Sequence, residues 1–241
     1  MLLNPWRQGI LCPGTSHRRR RYAHYGFRYT ALLAAKRGRS LGNPDLEGRG
    51  TGPTRAIKDN VGVYRRGVFL DLAGTLVEPL KPERLDEITL IPGVIEEIAR
   101  LSAAGFVCPV VTVQSRIAKG LWSLPEFEKW FASFAAGLEA QGARVVGPYV
   151  CPHRLADPCP CKKPSTLLYE RAAAEHQLKA SDSFVIGDSP EDVGAARRLG
   201  ACGCLVRTGW AAHPEVVEAA AADASVIVYS LAEAVDWILH S

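Results

Sequence analysis

The sequence has no run of about 18 apolar residues, which excludes a helical membrane span. Its apolar start, Met1-Leu2-Leu3, is broken by Asn4 and Pro5, and no long apolar centre with a small-residue cleavage site follows, so a secretory signal is not expected. Acidic residues are scarce in the first 66 positions: Asp45, Glu47 and Asp59 stand against 14 Lys and Arg, a net of +11. The remaining 175 residues carry 15 basic and 22 acidic side chains, a net of −7. The overall charge of +4 thus conceals an acidic body behind a basic leader.

Those first 66 residues also lack sustained helical or strand periodicity. Arg18-Arg19-Arg20-Arg21 is a like-charge block, and the stretch from Arg37 to Arg55 is rich in Gly, Pro and Arg. A segment so composed cannot bury enough apolar surface to offset its ordering entropy, so residues 1–66 are expected to form a disordered leader. Its charge would suit a nucleic-acid or anionic-surface arm, or an Arg-rich targeting peptide; a solvated tail is the plainer reading. Disulfides are not expected either. The seven cysteines are odd in number, Cys151, Cys159 and Cys161 cluster within eleven residues, and Cys108, Cys202 and Cys204 lie in apolar, strand-like runs. With no export signal, this favours a reducing, cytoplasmic setting and a local metal site.

From Gly67 onward the pattern becomes a regular alternation. Strands are expected up to Leu72 and over 106–113, 143–150, 183–187, 202–206 and 225–228. Helices are expected over 93–104, 125–141, 165–176 (with Ser165 as N-cap), 190–199, 214–222 and 231–239. Strands alternating with helices over more than 150 residues predict one doubly wound, mostly parallel α/β domain over residues 67–241. Only 36 residues separate Thr75 from Thr112, too few for a helical cap domain beside the loop and helix already there.

In such a sheet the strand ends meet at one edge, where ligands bind. Asp71 follows the first strand, Thr112 ends the second, Lys163 follows the third, and Gly187-Asp188-Ser189-Pro190-Glu191-Asp192 follows the fourth. These types suit phosphoryl transfer. Asp71 can act as nucleophile, Mg²⁺ held by Asp71 and Asp188 can gather the phosphate charge, and Asp192 can support the metal or orient Lys163. Thr112 and Lys163 can bind phosphoryl oxygens. Separately, Cys151-Pro152-His153 and Cys159-Pro160-Cys161 form C-x-H-x₅-C-x-C. Three thiolates and one imidazole have the number and softness of a closed structural zinc site, on a loop, 151–161, that runs directly into Lys163.

The order D-x-x-G-T, strand-end Thr, Lys and G-D-x-x-x-D resembles the haloacid dehalogenase superfamily, which is Rossmann-like in fold. Over about 60% of the chain, Gly67 to Trp210, it is further similar to the superfamily's capless phosphatases of D-glycero-D-manno-heptose 1,7-bisphosphate and of histidinol phosphate. Val111-Thr112-Val113-Gln114-Ser115 stands where these have V-T-N-Q-S, Cys161-Lys162-Lys163-Pro164 where they have C-R-K-P, and Val206-Arg207-Thr208-Gly209 where they have V-R-T-G. The resemblance implies a phosphorylated sugar as substrate, hydrolysis through an aspartyl-phosphate, a Mg²⁺ contact from the backbone carbonyl of Ala73, and the same zinc loop. It places Thr112, Val113, Lys163 and Lys119 near substrate or phosphate; separately, an open, capless site leaves Arg116, Lys119 and Arg154 as rim cations for a second phosphate or polar group. Val113 replaces a polar Asn, and Arg116 a Gly.

One departure is central. The family's second Asp, two residues after the nucleophile, protonates the leaving oxygen and then activates water; here it is Ala73. General acid–base help is worth about 10²–10⁴-fold in rate, so a slowed phosphomonoesterase is expected. The alternative is a catalytically inactive module that binds a phosphorylated ligand or a protein partner. D-x-A-G-T also occurs in the superfamily's phosphonoacetaldehyde hydrolases, but those draw on a cap lysine, and no cap fits here.

Overall fold

The computed structural model describes residues 64–241. The leader expected over 1–66 lies outside these except for its last three positions. Of those, Arg65 forms a parallel bridge with Leu178, and the Arg66 guanidinium sits 5.0 and 5.2 Å from the Phe106 and Phe184 ring centroids, so the folded body begins before Gly67. None of the described helices is long and apolar enough to cross a membrane.

The chain runs β1 (Val68–Leu70), β2 (Val77–Glu78), β3 (Thr89–Leu90), α1 (Val94–Ala103), β4 (Pro109–Val113), α2 (Ser115–Ala118) and α3 (Leu124–Glu139). It continues through β5 (Val146–Cys151), α4 (Leu167–His176), β6 (Phe184–Gly187), α5 (Pro190–Leu199), β7 (Cys202–Val206), α6 (Pro214–Ala220), β8 (Val226–Val228) and α7 (Leu231–Leu239). Six strands form one parallel sheet in the order β5-β4-β1-β6-β7-β8. β2 and β3 pair antiparallel as a small flap after β1, with Val77 opposite Leu90. Apart from this flap and a single 3₁₀ turn, nothing lies between β1 and α1, so the described chain has no large cap domain.

Side chains alternate across the sheet as a strand's two-residue period requires. Val68 and Leu70 of β1, Phe184 and Ile186 of β6, and Cys204 and Val206 of β7 face one core layer, which α1, α3 and α7 cover with Ile98, Phe127, Phe131 and Val235. Phe69, Val111 and Val185 face the other, under α4 and α5 with Leu168, Tyr169, Ala172 and Ala196. Both faces being buried, the strands read as continuous apolar runs.

Local signals account for several boundaries. Ser123 and Glu126 close a reciprocal capping box at the start of α3. Pro190 occupies the first turn of α5, and Gly200, at φ +69°, ends it. Two expectations are corrected. β1 stops at Leu70 because the Leu72 carbonyl accepts from the Leu76 and Val77 amides at 2.8 and 3.0 Å, which turns the chain. α4 starts later than expected, with Thr166 rather than Ser165 at the N-cap: the Ser165 hydroxyl donates to the Pro160 carbonyl and accepts from the Leu167 amide at 3.4 Å, while the Thr166 hydroxyl donates to Glu170 Oε1 at 2.6 Å. Cys108 and Cys204 are buried free thiols, as expected. Cys202 departs from that reading: it is disulfide-bonded.

Candidate active site

β1 lies at the centre of the sheet, with the chain winding towards β4 on one side and β6 on the other. That reversal opens a crevice at the carboxyl end of β1, the place where open α/β sheets hold ligands. Asp71 is the first residue beyond the strand, and its amide donates to the Ile186 carbonyl of β6 at 2.9 Å, so its position is fixed by the sheet itself. The turn that follows needs Gly74, at φ +90°, where a Cβ would overlap the Asp188 carboxylate. Gly209, at φ +48°, meets the same carboxylate from the other side.

The structure brings together Asp71, Lys163, Asp188, Asp192 and Thr112, all buried. Lys163 Nζ donates to Asp71 Oδ1 at 2.5 Å and to Asp192 Oδ1 at 2.6 Å. Asp192 is held in turn by the Ser189 hydroxyl at 2.6 Å, and Asp188 Oδ2 accepts the Trp210 amide at 2.7 Å. Thr112 Oγ1 accepts from Gln114 Nε2 at 3.1 Å, which leaves its own hydroxyl hydrogen free to donate elsewhere.

Three carboxylates face one ammonium here, and the imbalance shows in the titration of Asp71 and Asp188. Burial, then Lys163 in opposition and Asp192 in support, leave Asp71 raised from 3.8 to about 6. Burial and the charges of Asp71 and Asp192 push Asp188 up to about 8. Burial works against the Lys163 ammonium, but Asp192 and Asp71 outweigh it and hold its pKa well above the usual lysine value. The excess negative charge calls for a cation. Oxygens of Asp71, Asp188 and Asp192 lie within 4.8 Å of one another, and such hard donors fit Mg²⁺, which keeps several waters and takes few carboxylates.

The second cluster is made by the end of β5 and the loop after it. Cys151 Sγ lies 3.6 Å from both His153 Nδ1 and Cys159 Sγ, and Cys161 Sγ lies 3.3 Å from His153 Nδ1. Four ligands at ordinary zinc bond lengths define tetrahedron edges of about 3.8 Å between sulfurs and about 3.6 Å from sulfur to nitrogen, so the donor set fits the ion. The thiols are free, with Cys151 pushed up to about 12 by burial. Lys162 fastens the loop by donating to the Leu155 and Asp157 carbonyls at 2.6 and 2.7 Å, and Lys163 follows directly.

The remaining sequence-predicted residues do not join the polar cluster. Val113 is half-buried and packs against the core layer that holds Tyr149 and Cys151. Lys119 is exposed at the C-cap of α2. Arg116 Nε donates to Pro82 O at 3.0 Å, tying α2 to the flap loop, while Arg154 donates to Ala118 O at 3.3 Å. Both are tethers between loops around the crevice. Sequence reasoning missed the Trp210 amide, Ser189, Gln114 and Tyr169 as neighbours of the site. A backbone amide carries no residue signature; Ser189 and Gln114 stood inside motifs already singled out.

Comparison with known proteins agrees with this geometry. A family model for HAD-hydrolase-like proteins matches residues 160–234. The D-glycero-D-manno-heptose-1,7-bisphosphate 7-phosphatase of Thermosynechococcus vestitus is 33% identical over 190 residues, covering 72% of this chain and 95% of that protein. The D-glycero-beta-D-manno-heptose-1,7-bisphosphate 7-phosphatase of Pseudomonas putida is 37% identical over 125 residues, covering 52% of this chain and 71% of that protein. Among solved structures, the D,D-heptose 1,7-bisphosphate phosphatase of B. bronchiseptica, complexed with magnesium and phosphate, superposes with a TM-score of 0.66. It is 25% identical and is covered to 98%, against 73% of this chain. With Asp71, Lys163 and the Asp188–Asp192 pair gathered at the switch point of a parallel sheet, and with a relative 33% identical that is matched over 95% of its length, the chain belongs to the haloacid dehalogenase-like phosphatases, beside the heptose-1,7-bisphosphate phosphatases.

Proposed function

We propose that the chain is a Mg²⁺-dependent phosphomonoester hydrolase acting on a phosphorylated sugar of the heptose 1,7-bisphosphate type, with Asp71 as nucleophile. The observation that carries this reading is the Lys163–Asp71 pair, at 2.5 Å, lying beside two further buried carboxylates at the end of the central strand. Asp71 attacks phosphorus as its carboxylate, the form that a neighbouring cation favours over the protonated one that burial promotes in the metal-free site. The phosphorus–ester oxygen bond breaks as the aspartyl-phosphate forms, and water then splits that acyl phosphate to return Asp71 and release phosphate. Lys163 and the Thr112 hydroxyl hold phosphoryl oxygens, while Asp192, anchored by Ser189, keeps Lys163 aimed. Asp71, Asp188 and the carbonyl of Ala73 would hold Mg²⁺, which supplies the charge that lets two anions meet. Cys151, His153, Cys159 and Cys161 would hold zinc, which would stiffen the loop that delivers Lys163. The short flap leaves the crevice open to a small metabolite, and histidinol phosphate is the competing substrate class.

Ala73 favours a second reading, in which the same residues bind a phosphorylated ligand with negligible turnover. If turnover occurs, the leaving oxygen draws its proton from solvent, because the methyl group of Ala73 supplies none. Phosphate release from heptose 1,7-bisphosphate and from histidinol phosphate, with Mg²⁺ and in its absence, decides between them. Mg²⁺-dependent release that Asp71→Asn abolishes supports the enzyme. Mg²⁺-dependent phosphate binding without release supports the binding module, and absence of both overturns the assignment of the site.

A further inference from the structure

β7 is not a neighbour of β1, because β6 lies between them, yet the loop after β7 reaches across the end of β6 to the turn that follows Asp71. There Thr208 Oγ1 donates to the Gly74 carbonyl at 2.5 Å. Two residues on, the Trp210 amide donates to Asp188 Oδ2 at 2.7 Å, and Gly209 between them leaves no room for a Cβ against either Asp188 or Gly74. Asp188 is thus bracketed by two loops, with Oδ2 taken and Oδ1 without a protein donor among the described residues. Thr208 stands at the N-cap of the 3₁₀ turn Gly209–Ala212, where a threonine hydroxyl ordinarily caps its own helix, but it makes no such bond. The hydroxyl serves the nucleophile turn instead.

That bond acts on the freest joint of the turn. Gly74, at φ +90°, holds a conformation open to glycine, and the peptide planes on either side of it swing unless each is tied. Its amide is tied to the Val77 carbonyl at 2.8 Å, which aims the Ala73 carbonyl, on the opposite edge of the same trans plane, the other way. The next plane has one long bond, from the Thr75 amide to the Leu72 carbonyl at 3.4 Å, and one short bond, from Thr208. We infer that Thr208 is a positioning residue for the cation site: its hydroxyl fixes the turn after Asp71 against Asp188, so that Asp71, the Ala73 carbonyl and Asp188 Oδ1 keep one mutual spacing. This rests on the reading of Asp71 and Asp188 as Mg²⁺ ligands. Without the hydroxyl the Gly74–Thr75 plane turns, the two loops part, and the donors no longer meet at one point.

The test uses the full chain with zinc, comparing wild type with Thr208→Val, which keeps the shape and loses the hydroxyl, and with Thr208→Ser, which keeps the hydroxyl. Thr208→Ala, also without the hydroxyl but unable to overfill the loop, is run beside them in case the valine form does not fold. Mg²⁺ is titrated calorimetrically, and melts are recorded with and without the ion. Mg²⁺ affinity is expected to fall about tenfold in the valine and alanine forms, the scale of one net hydrogen bond, and to stay within about twofold of wild type in the serine form. The rise in melting temperature that Mg²⁺ gives should shrink in the same two forms, whereas a bond of purely structural worth would lower both melts alike. Wild-type affinity in the hydroxyl-free forms, or an equal loss in Thr208→Ser, would overturn the role and leave Thr208 as a loop contact. A wild type that binds no Mg²⁺ overturns it together with the cation site. If the hydroxyl-dependent difference holds but no sugar phosphate is hydrolysed, Thr208 keeps its role and the proposed hydrolase falls.

Discussion

On the proposed function, Ala73→Asp should speed phosphate release. Position 73 lies in the turn after Asp71, where it bridges Val77 and the Gly74 amide donates to the Val77 carbonyl at 2.8 Å, so backbone bonds that the substitution leaves intact set the direction of its side chain. A carboxyl there joins a site in which three buried carboxylates face one ammonium. The like charges that help to lift Asp188 act on the new group in the same direction, towards the protonated form that a general acid needs. A gain in kcat of about 10²–10⁴ is expected, or about 3–5 kcal/mol of barrier. In the absence of divalent ions the added carboxylate should cost about 1–3 kcal/mol of stability at alkaline pH. The assay is steady-state phosphate release from both candidate substrates between pH 6 and 9, with inorganic phosphate affinity measured alongside. A variant that keeps its Mg²⁺-dependent phosphate affinity but turns over within about threefold of wild type would refute the reasoning.

Cys159→Ser should lower bound zinc from about one equivalent per chain and reduce thermal stability, since metal binding and folding are coupled; full occupancy by metal analysis would exclude this ligand set. Lys163→Met leaves Asp71 and Asp192 buried without their cation and should destabilise the chain by about 3–5 kcal/mol by denaturant unfolding, less at low pH where Asp71 is protonated. Folded Asp71 and Asp188 keep their protons up to about pH 6 and 8, whereas unfolded aspartates release them near 3.8. The chain without added divalent ions should therefore lose stability as pH rises from about 4 to 8, and Mg²⁺ should restore it most at the alkaline end, as seen by thermal melts. Gly209→Ala, strained at φ +48° and overlapping Asp188, should weaken Mg²⁺ binding more than it weakens the fold, measured by titration and melting together.

Much of the fold could be read before any coordinates because the signals were long and redundant. α5, β7 and α7 fall at their expected limits: Pro190 and Gly200 punctuate the first, and an apolar run or a 3.6-residue period marks the others. The flap was not legible. β2 and β3 have two residues each, too few to show any period, and they pair only because the turn at Leu72 throws the chain back. Within the site, side chains at strand ends could be foreseen from topology, hence Asp71, Thr112, Lys163 and Asp188. Contacts that depend on where one loop meets another could not. The Trp210 amide on Asp188 and the packing of Val113 into the core layer are of that kind.

The central place of β1 has a consequence for synthesis. It needs β4 on one side and β6 on the other, yet β6 follows it by more than a hundred residues. A chain emerging from the ribosome can close the β4 side early, but the edge that will meet Val185 stays open, an apolar strand with free amides and carbonyls that invites the wrong neighbour. The crevice does not exist until Gly187 and Asp188 have been made. A truncated product would therefore carry Asp71 and the flap but no place to hold a phosphate, so ligands can rescue only chains completed past α5.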